Sequence, residues 1–227
     1  MHLTPDHIVL WRWGFVQLNA TILFTWIVML LLTLVSWLIT RRLTASDEHR
    51  SRWQTGLEAV VELIRGQIRE ICPRGSDTYL PFAGTLFLFI AVSNVLDIVP
   101  GWHPPTGSLS TTAALAISVG VAVPVFGILR QGLAGYLRHY LRPSWIILPF
   151  HLLSETTRNL ALAVRLFGNI MSGSMIVAIL LAIAPLFVPV LMQALGLLIG
   201  LIQAYIFAVL AMVYIGAAVQ REQEGAK

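Results

Sequence analysis

Charged residues are scarce in this chain, at 11% of its 227 positions, where soluble domains carry about a quarter. So few charges cannot tile a water-facing surface. With 57% hydrophobic residues beside them, the composition indicates an all-α, polytopic membrane protein. The single cysteine, Cys72, excludes an intramolecular disulfide and leaves no thiolate metal cluster. No phosphate-binding loop, metal-ligand cluster or nucleophile constellation is present. The expectation is therefore no catalytic residue, no metal and no cofactor. No internal repeat and no low-complexity segment interrupts the chain, which reads as one membrane domain over 1–227.

What is present is a series of long apolar runs. The first, 20–40, is too long for a signal-peptide core and ends in Arg41-Arg42 without a small-residue cleavage pattern. It reads as a retained transmembrane helix. Further runs at 80–99, 112–129, 144–183 and 187–219 bring the total to five crossings. The pair within 80–129 forms a helical hairpin, and the termini fall on opposite sides.

The formal charge of +4 is distributed by topology. Arg41, Arg42, Arg50, Arg52, Arg65, Arg69 and Arg74 lie in segment 41–79, and Arg130, Arg138 and Arg142 in 130–143. The tail adds Arg221 and Lys227, whereas only Arg12 lies on the other side. The positive-inside rule then puts residues 1–19 outside and the C-terminus in the cytoplasm. Nucleic-acid binding is not expected. Trp11, Trp13, Trp102 and Trp145 sit where interfacial anchors belong. Segment 51–71 spaces Leu57, Val60, Val61, Ile64, Ile68 and Ile71 as one face of an amphipathic helix on the cytoplasmic surface, a linker or a docking element. Pro81 falls where the second span should begin, and Pro124 predicts a kink in the third.

The last two runs are too long. At about 1.5 Å per residue they would reach ~60 and ~50 Å as unbroken helices, against a hydrocarbon core of about 30 Å. Either both lie steeply across the bilayer, or each is broken; Pro149 and the polar run 154–158 allow a break in the first.

Chemistry concentrates on one stripe of the fourth run: His151, Glu155, Arg158, Leu162, Arg165, Asn169 and Ser172 follow at steps of three and four. Such a face needs water or protein beside it. Glu155 and Arg158 are spaced to pair. Arg165 has no acid within a turn, and a guanidinium keeps its charge at any relevant pH. Its counter-charge must come from elsewhere in the chain, from another subunit or from a passing ion. The fifth run offers a matching face of Gln193, Gly196, Gly200, Gln203, Phe207 and Tyr214. Gly196 and Gly200 permit close helix approach. Gln203 sits at mid-helix, where antiparallel crossing would let it meet Arg165, as a helix–helix hydrogen bond or as part of a conduction path. Asn94 and Asp97 mark the outer end of the second span, as an access path or a loop cap; His151 lies near the inner surface.

At these residues the chain resembles subunit a of the F-type ATP synthases. The matching strings are Arg165-Leu166-Phe167-Gly168-Asn169, then Leu201-Ile202-Gln203-Ala204-Tyr205-Ile206-Phe207 followed by Val213-Tyr214-Ile215. Weaker echoes are Phe89-Ile90-Ala91-Val92-Ser93-Asn94 before Pro100-Gly101, and Pro105-Thr106 before Thr111-Thr112. The resemblance implies a multi-pass stator in a bacterial-type inner membrane. Its partners would be a c-ring, the peripheral stalk subunit b, the rest of the F1F0 complex and lipid. The last two helices would run steeply along the ring. Two offset half-channels would load and unload ring carboxylates, with Arg165 between them, blocking direct leakage. Gln203 and Asn169 match family positions near that arginine.

The departures from the family pattern are equally specific. Ser174 stands where many members have an acid, Gly196 where many have a histidine or acid, and Ser108 where an outer-loop aspartate is common. The outer half-channel thus lacks the usual titratable relay, which leaves Asp97, Ser172 and other hydroxyls, or water. This pattern is similar to the N-type ATPases, a subgroup linked to Na+ transport, so proton and Na+ coupling both stand. On the inner side the usual acid falls on His151, with Glu155 one turn on. A stand-alone secondary transporter, with Arg165 binding an anion, would predict an internal repeat. A scaffold without conduction would leave the arginine unexplained.

Overall fold

The computed structural model describes residues 9–13, 16–41, 52–71, 76–99, 101–141, 148–183 and 188–220. Arg42, Arg50, Cys72, Arg74, Pro100, Arg142, Trp145, Arg221 and Lys227, singled out above, lie outside these segments. The expected all-α architecture is found, and five helices are long and apolar enough to cross a membrane. One small addition precedes them. Strands β1 (Val9–Trp13) and β2 (Val16–Asn19) pair antiparallel, with an irregular register between Val9 and Trp11.

Helix α1 (Ala20–Thr40) follows directly. Thr25 and Thr33 donate to the carbonyls of Thr21 and Met29 at 2.7 and 2.8 Å, so these hydroxyls need no water inside an apolar run. The helix barely packs on the others: Trp26, Leu30, Leu34 and Trp37 are exposed to what would be lipid. At its basic end the Arg41 guanidinium lies 4.9 Å from the Trp37 ring centroid, a cation–π contact at the membrane boundary.

Helix α2 (Arg52–Ile71) is the predicted amphipathic helix. Its apolar stripe is satisfied within the chain. Ile64 and Ile68 are buried against Tyr79, Ala83, Met212 and Ile215, while Leu63 stays exposed. Arg65 donates through Nε and Nη2 to one carboxylate oxygen of Asp77, at 3.1 and 2.7 Å. That hydrogen bond, then the charge of Asp77, raises the Arg65 guanidinium above its ordinary value.

Helix α3 (Ser76–Val95) starts earlier than the hydropathy suggests, because Ser76 and Asp77 supply a polar first turn. Pro81 therefore lies inside the helix rather than in its first turn. A 3-10 turn, Leu96–Ile98, ends it. The loop beyond folds inward: Pro105, Thr106, Gly107 and Ser108 are all buried. Helix α4 (Leu109–Leu141) breaks at Gly132, whose φ of 73° suits glycine, and not at Pro124, which stays in helical backbone.

Helices α5 (Leu148–Ile183) and α6 (Val188–Gln220) run for 36 and 33 residues without interruption. The broken-helix alternative is thereby excluded for the described residues. Pro149 is the second residue of α5, where a missing N–H costs nothing, and residues 154–158 continue the helix. At roughly 54 and 50 Å, both exceed the hydrocarbon core and must incline steeply or project beyond it.

The core lies among α3, α4, α5 and α6, with Ile90, Val119, Leu162, Leu166 and Phe207 between alanines 91, 116, 163, 204 and 211. Small residues let the backbones approach. The tightest point is Gly120, where a Cβ would stand 2.3 Å from Asn159 Nδ2. Gly120→Ala should thus force Asn159 to move and cost about 1–3 kcal/mol. Thermal unfolding of the solubilised protein checks it; an unchanged midpoint would mean that Asn159 swings aside freely.

Candidate functional site

Arg165 lies at the middle of α5, at the border of its packed face. Leu162 and Leu166 are fully buried, whereas Arg165 and Asn169 are exposed. Among the described residues no carboxylate pairs with Arg165. The chain itself leaves this charge pointing outward between apolar neighbours such as Val164, itself exposed.

One turn on, Asn169 Nδ2 donates to Gln203 Oε1 at 2.8 Å, tying α5 to α6. The expected meeting at mid-membrane therefore involves the asparagine: Gln203 makes its hydrogen bond to Asn169, not to Arg165. Gln203 is 3% exposed and its Nε2 has no partner, a buried donor still to be satisfied.

Towards the lightly charged end of the bundle, a cavity of about 380 Å³ opens between α3, α5 and α6. Its lining includes Asn94, Asp97, Asn169, Ser172, Ser174 and Gly196. Six of the predicted site residues thus share one recess, although they come from three helices. No carbon or polar atom stands within 4 Å of a Cβ built on Gly196, so its missing side chain is open space. Ser174 donates to the Ile170 and Met171 carbonyls at 2.9 and 3.0 Å, and Ser172 to that of Gly168. Both hydroxyl oxygens remain free to accept from the cavity side.

Asn94 has a second role that the sequence did not disclose. It is 6% exposed; its Nδ2 donates to the Gly200 carbonyl at 2.8 Å, and its Oδ1 accepts from Thr106 at 3.0 Å. A Cβ on Gly200 would lie 3.0 Å from Asn94 Cβ and Nδ2. So Gly200 is packing glycine, Gly196 is cavity, and Asn94 clamps α3, α6 and the loop before α4. Nearby, Gln193 Nε2 donates to the Asp97 carbonyl at 3.2 Å, holding the 3-10 turn against α6.

His151, Glu155, Arg158 and Tyr214 do not touch this cavity. They occupy the opposite, basic end, where Arg158 sits 5.7 Å from the Tyr214 ring centroid. The arginine expected to pair with Glu155 thus stacks on an aromatic face. In order along α5, one polar group at 151–158 and another at 169–174 flank Arg165. Among the described residues no group of histidine, cysteine or acidic side chains is arranged to hold a metal.

Two residues of the loop between α3 and α4 take places that sequence reasoning did not assign. Thr106 is buried only because the loop turns inward, for which the Pro104-Pro105 pair was the available signal. His103 lies in the same loop, its ring 6.4 Å from that of Phe24, beside a Phe24–Trp102 contact at 4.6 Å. Trp102, expected as an interfacial anchor, packs inward on α1.

Comparison with known proteins agrees with this geometry. Residues 22–216 match the family described as ATP synthase A chain. A protein of Acaryochloris marina named ATP synthase subunit a 2 is 59% identical over 223 residues, covering 98% of this chain and 95% of its own. ATP synthase subunit a 1 of Chlorobium luteolum is 58% identical over 224 residues, covering 99% and 100%. ATP synthase subunit a of Nitrosospira multiformis is 57% identical over 226 residues, covering 100% and 90%. A multi-pass membrane protein with this stripe, this recess and these relatives belongs to the ATP synthase A chain family, that of subunit a.

Proposed function

We propose that this chain is the stator subunit of an F-type ATP synthase membrane sector, working within the F1F0 complex beside a c-ring and subunit b. It carries protons between two half-channels and the ring carboxylates, with its N-terminus outside. The observation that carries this reading is Arg165, a permanent charge at mid-helix, exposed and without a carboxylate partner among the described residues. Hydrocarbon would not tolerate it. A passing ring carboxylate supplies the missing counter-charge, and the exposed apolar residues around it, Leu160, Val164 and Ile202, suit a sliding apolar partner.

The recess lined by Asn169, Ser172, Ser174, Asn94 and Asp97 is the outer half-channel, and the group His151, Glu155, Arg158 and Tyr214 the inner one. Each ends within a turn or two of Arg165. An ion therefore leaves one path only by binding a ring carboxylate, and reaches the other only after rotation. Asn169 and Gln203 hold α5 and α6 together beside the arginine.

The test removes this subunit from vesicles bearing the whole complex. ATP-driven ion uptake should vanish and return when the chain is restored. Uptake that persists without it would overturn the assignment. The neutral side chains at Gly196 and Ser174 favour a second reading, Na+ as coupling ion. ATP-driven 22Na+ uptake that survives a protonophore would establish Na+; collapse of uptake would establish protons.

A further inference from the structure

Two polar side-chain contacts tie α5 to α6, and they are in register. Asn169 donates to Gln203, and the Arg158 guanidinium lies 5.7 Å from the Tyr214 ring centroid. Asn169 and Arg158 are eleven residues apart on α5, and Gln203 and Tyr214 eleven apart on α6, about three turns on each helix. Arg165 lies between the two ties, at the level of Phe207 on α6. That ring is fully buried in the core and offers Arg165 no face. Among the described residues, the arginines set over a ring are Arg41, Arg130 and Arg158.

Arg158 and Arg165 stand seven residues apart on one uninterrupted helix, hence on one face and about two turns apart. Both are exposed, and both charges are permanent. The fold nevertheless treats them differently. Tyr214 is half-buried and packs against both apolar clusters, which holds its ring in place under Arg158. We infer that Tyr214 is a positioning residue that parks Arg158 against α6, so that Arg165 is the guanidinium of α5 that meets a ring carboxylate. The inference rests on the stator reading and deepens it. Without the aromatic face, Arg158 would be a second mobile cation on the same exposed stripe. It would compete for the passing anion two turns away from the point where the two paths meet. A guanidinium stacked on a ring is worth enough to decide this, since such contacts shift a population by about two- to thirtyfold.

The test is ATP synthesis by vesicles bearing matched amounts of the whole complex, under a saturating imposed ion gradient. Tyr214→Leu should slow turnover by about three- to tenfold. Tyr214→Phe keeps the ring face and should keep most of the rate. The decisive protein combines Tyr214→Leu with Arg158→Gln. It should run as fast as Arg158→Gln alone, because no second cation is left to park. If Tyr214 served packing alone, the combined variant would fall below Arg158→Gln by the factor seen for Tyr214→Leu in the wild type, and that result overturns the proposal. A wild-type rate in Tyr214→Leu overturns it too, as does a loss in Tyr214→Phe as large as in Tyr214→Leu. If Tyr214→Leu fails to assemble, Tyr214→Met fills the space without a ring face and takes its place under the same criteria. Normal turnover in Tyr214→Leu beside loss of pumping in Arg165→Ala would leave the stator reading intact, so the two failures are distinguishable.

Discussion

Arg165→Ala is expected to abolish ATP-driven ion pumping and to make the membrane sector leak. Removing a placed charge that stabilises a transient anion commonly costs about 10²–10³-fold, enough to bring pumping to background. The leak has a separate origin. Arg165 stands between the polar groups at 151–158 and 169–174 of one continuous helix, and on the stator reading its fixed charge would repel cations passing directly. Alanine removes both attraction and barrier. Arg165→Lys should also be poor, since an ammonium is more strongly hydrated, lacks the planar fork and can lose its proton. The measurement is ATP-driven uptake together with passive ion flux in vesicles bearing the whole complex. Retained pumping in Arg165→Ala would sink the stator reading.

Gly200→Ala and Asn94→Ala are expected each to be damaging, and less than additive together. The added methyl of Gly200→Ala would stand 3.0 Å from Asn94 Cβ, a separation that forces α3 from α6 or expels the asparagine. Overpacking of this kind costs about 1–3 kcal/mol. Asn94→Ala removes the added bond to the Gly200 carbonyl, which keeps its helix partner, and leaves Thr106 without its acceptor, at about 1–3 kcal/mol for a buried group left unsatisfied. The double variant loses the bond and the close contacts to the Asn94 amide group while the contact at Cβ stays, so the clash is relieved in part and the cycle should show a coupling of about 0.5–3 kcal/mol. Thermal unfolding of the four proteins measures it. Strict additivity would mean that the two residues do not share one contact. Because both line the recess, pumping should fall with stability in the single variants and recover in part in the double.

Much of the fold is legible in the chain. Long apolar runs admit only helices in a bilayer, because every backbone N–H and C=O must be satisfied internally; α1 begins and ends where the run 20–40 does. The boundary errors have local causes. Ser76 and Asp77 are polar yet open α3, and Pro124 leaves α4 helical while Gly132 breaks it. Hydropathy does not register a polar first turn, and a proline's effect depends on whether neighbours satisfy the freed carbonyl.

The candidate site divides in the same way. Arg165, Asn169 and Gln203 stand out in sequence because a polar residue at mid-span is costly wherever the chain folds. By contrast, the Asn169–Gln203 bond and the Asn94 clamp on Gly200 and Thr106 join residues from separate elements.

The sequence by itself determined the solvent, the helix count and the charge that must not meet lipid, since these follow from composition and one-dimensional spacing. Only the tertiary structure decided that α2 docks on its own chain, that α5 and α6 run unbroken, and that Gly200 packs while Gly196 opens a recess. Spacing along one helix fixes which residues share a face. Which face meets which depends on how closely backbones approach, and that is set by small residues and buried hydrogen bonds far apart in the chain.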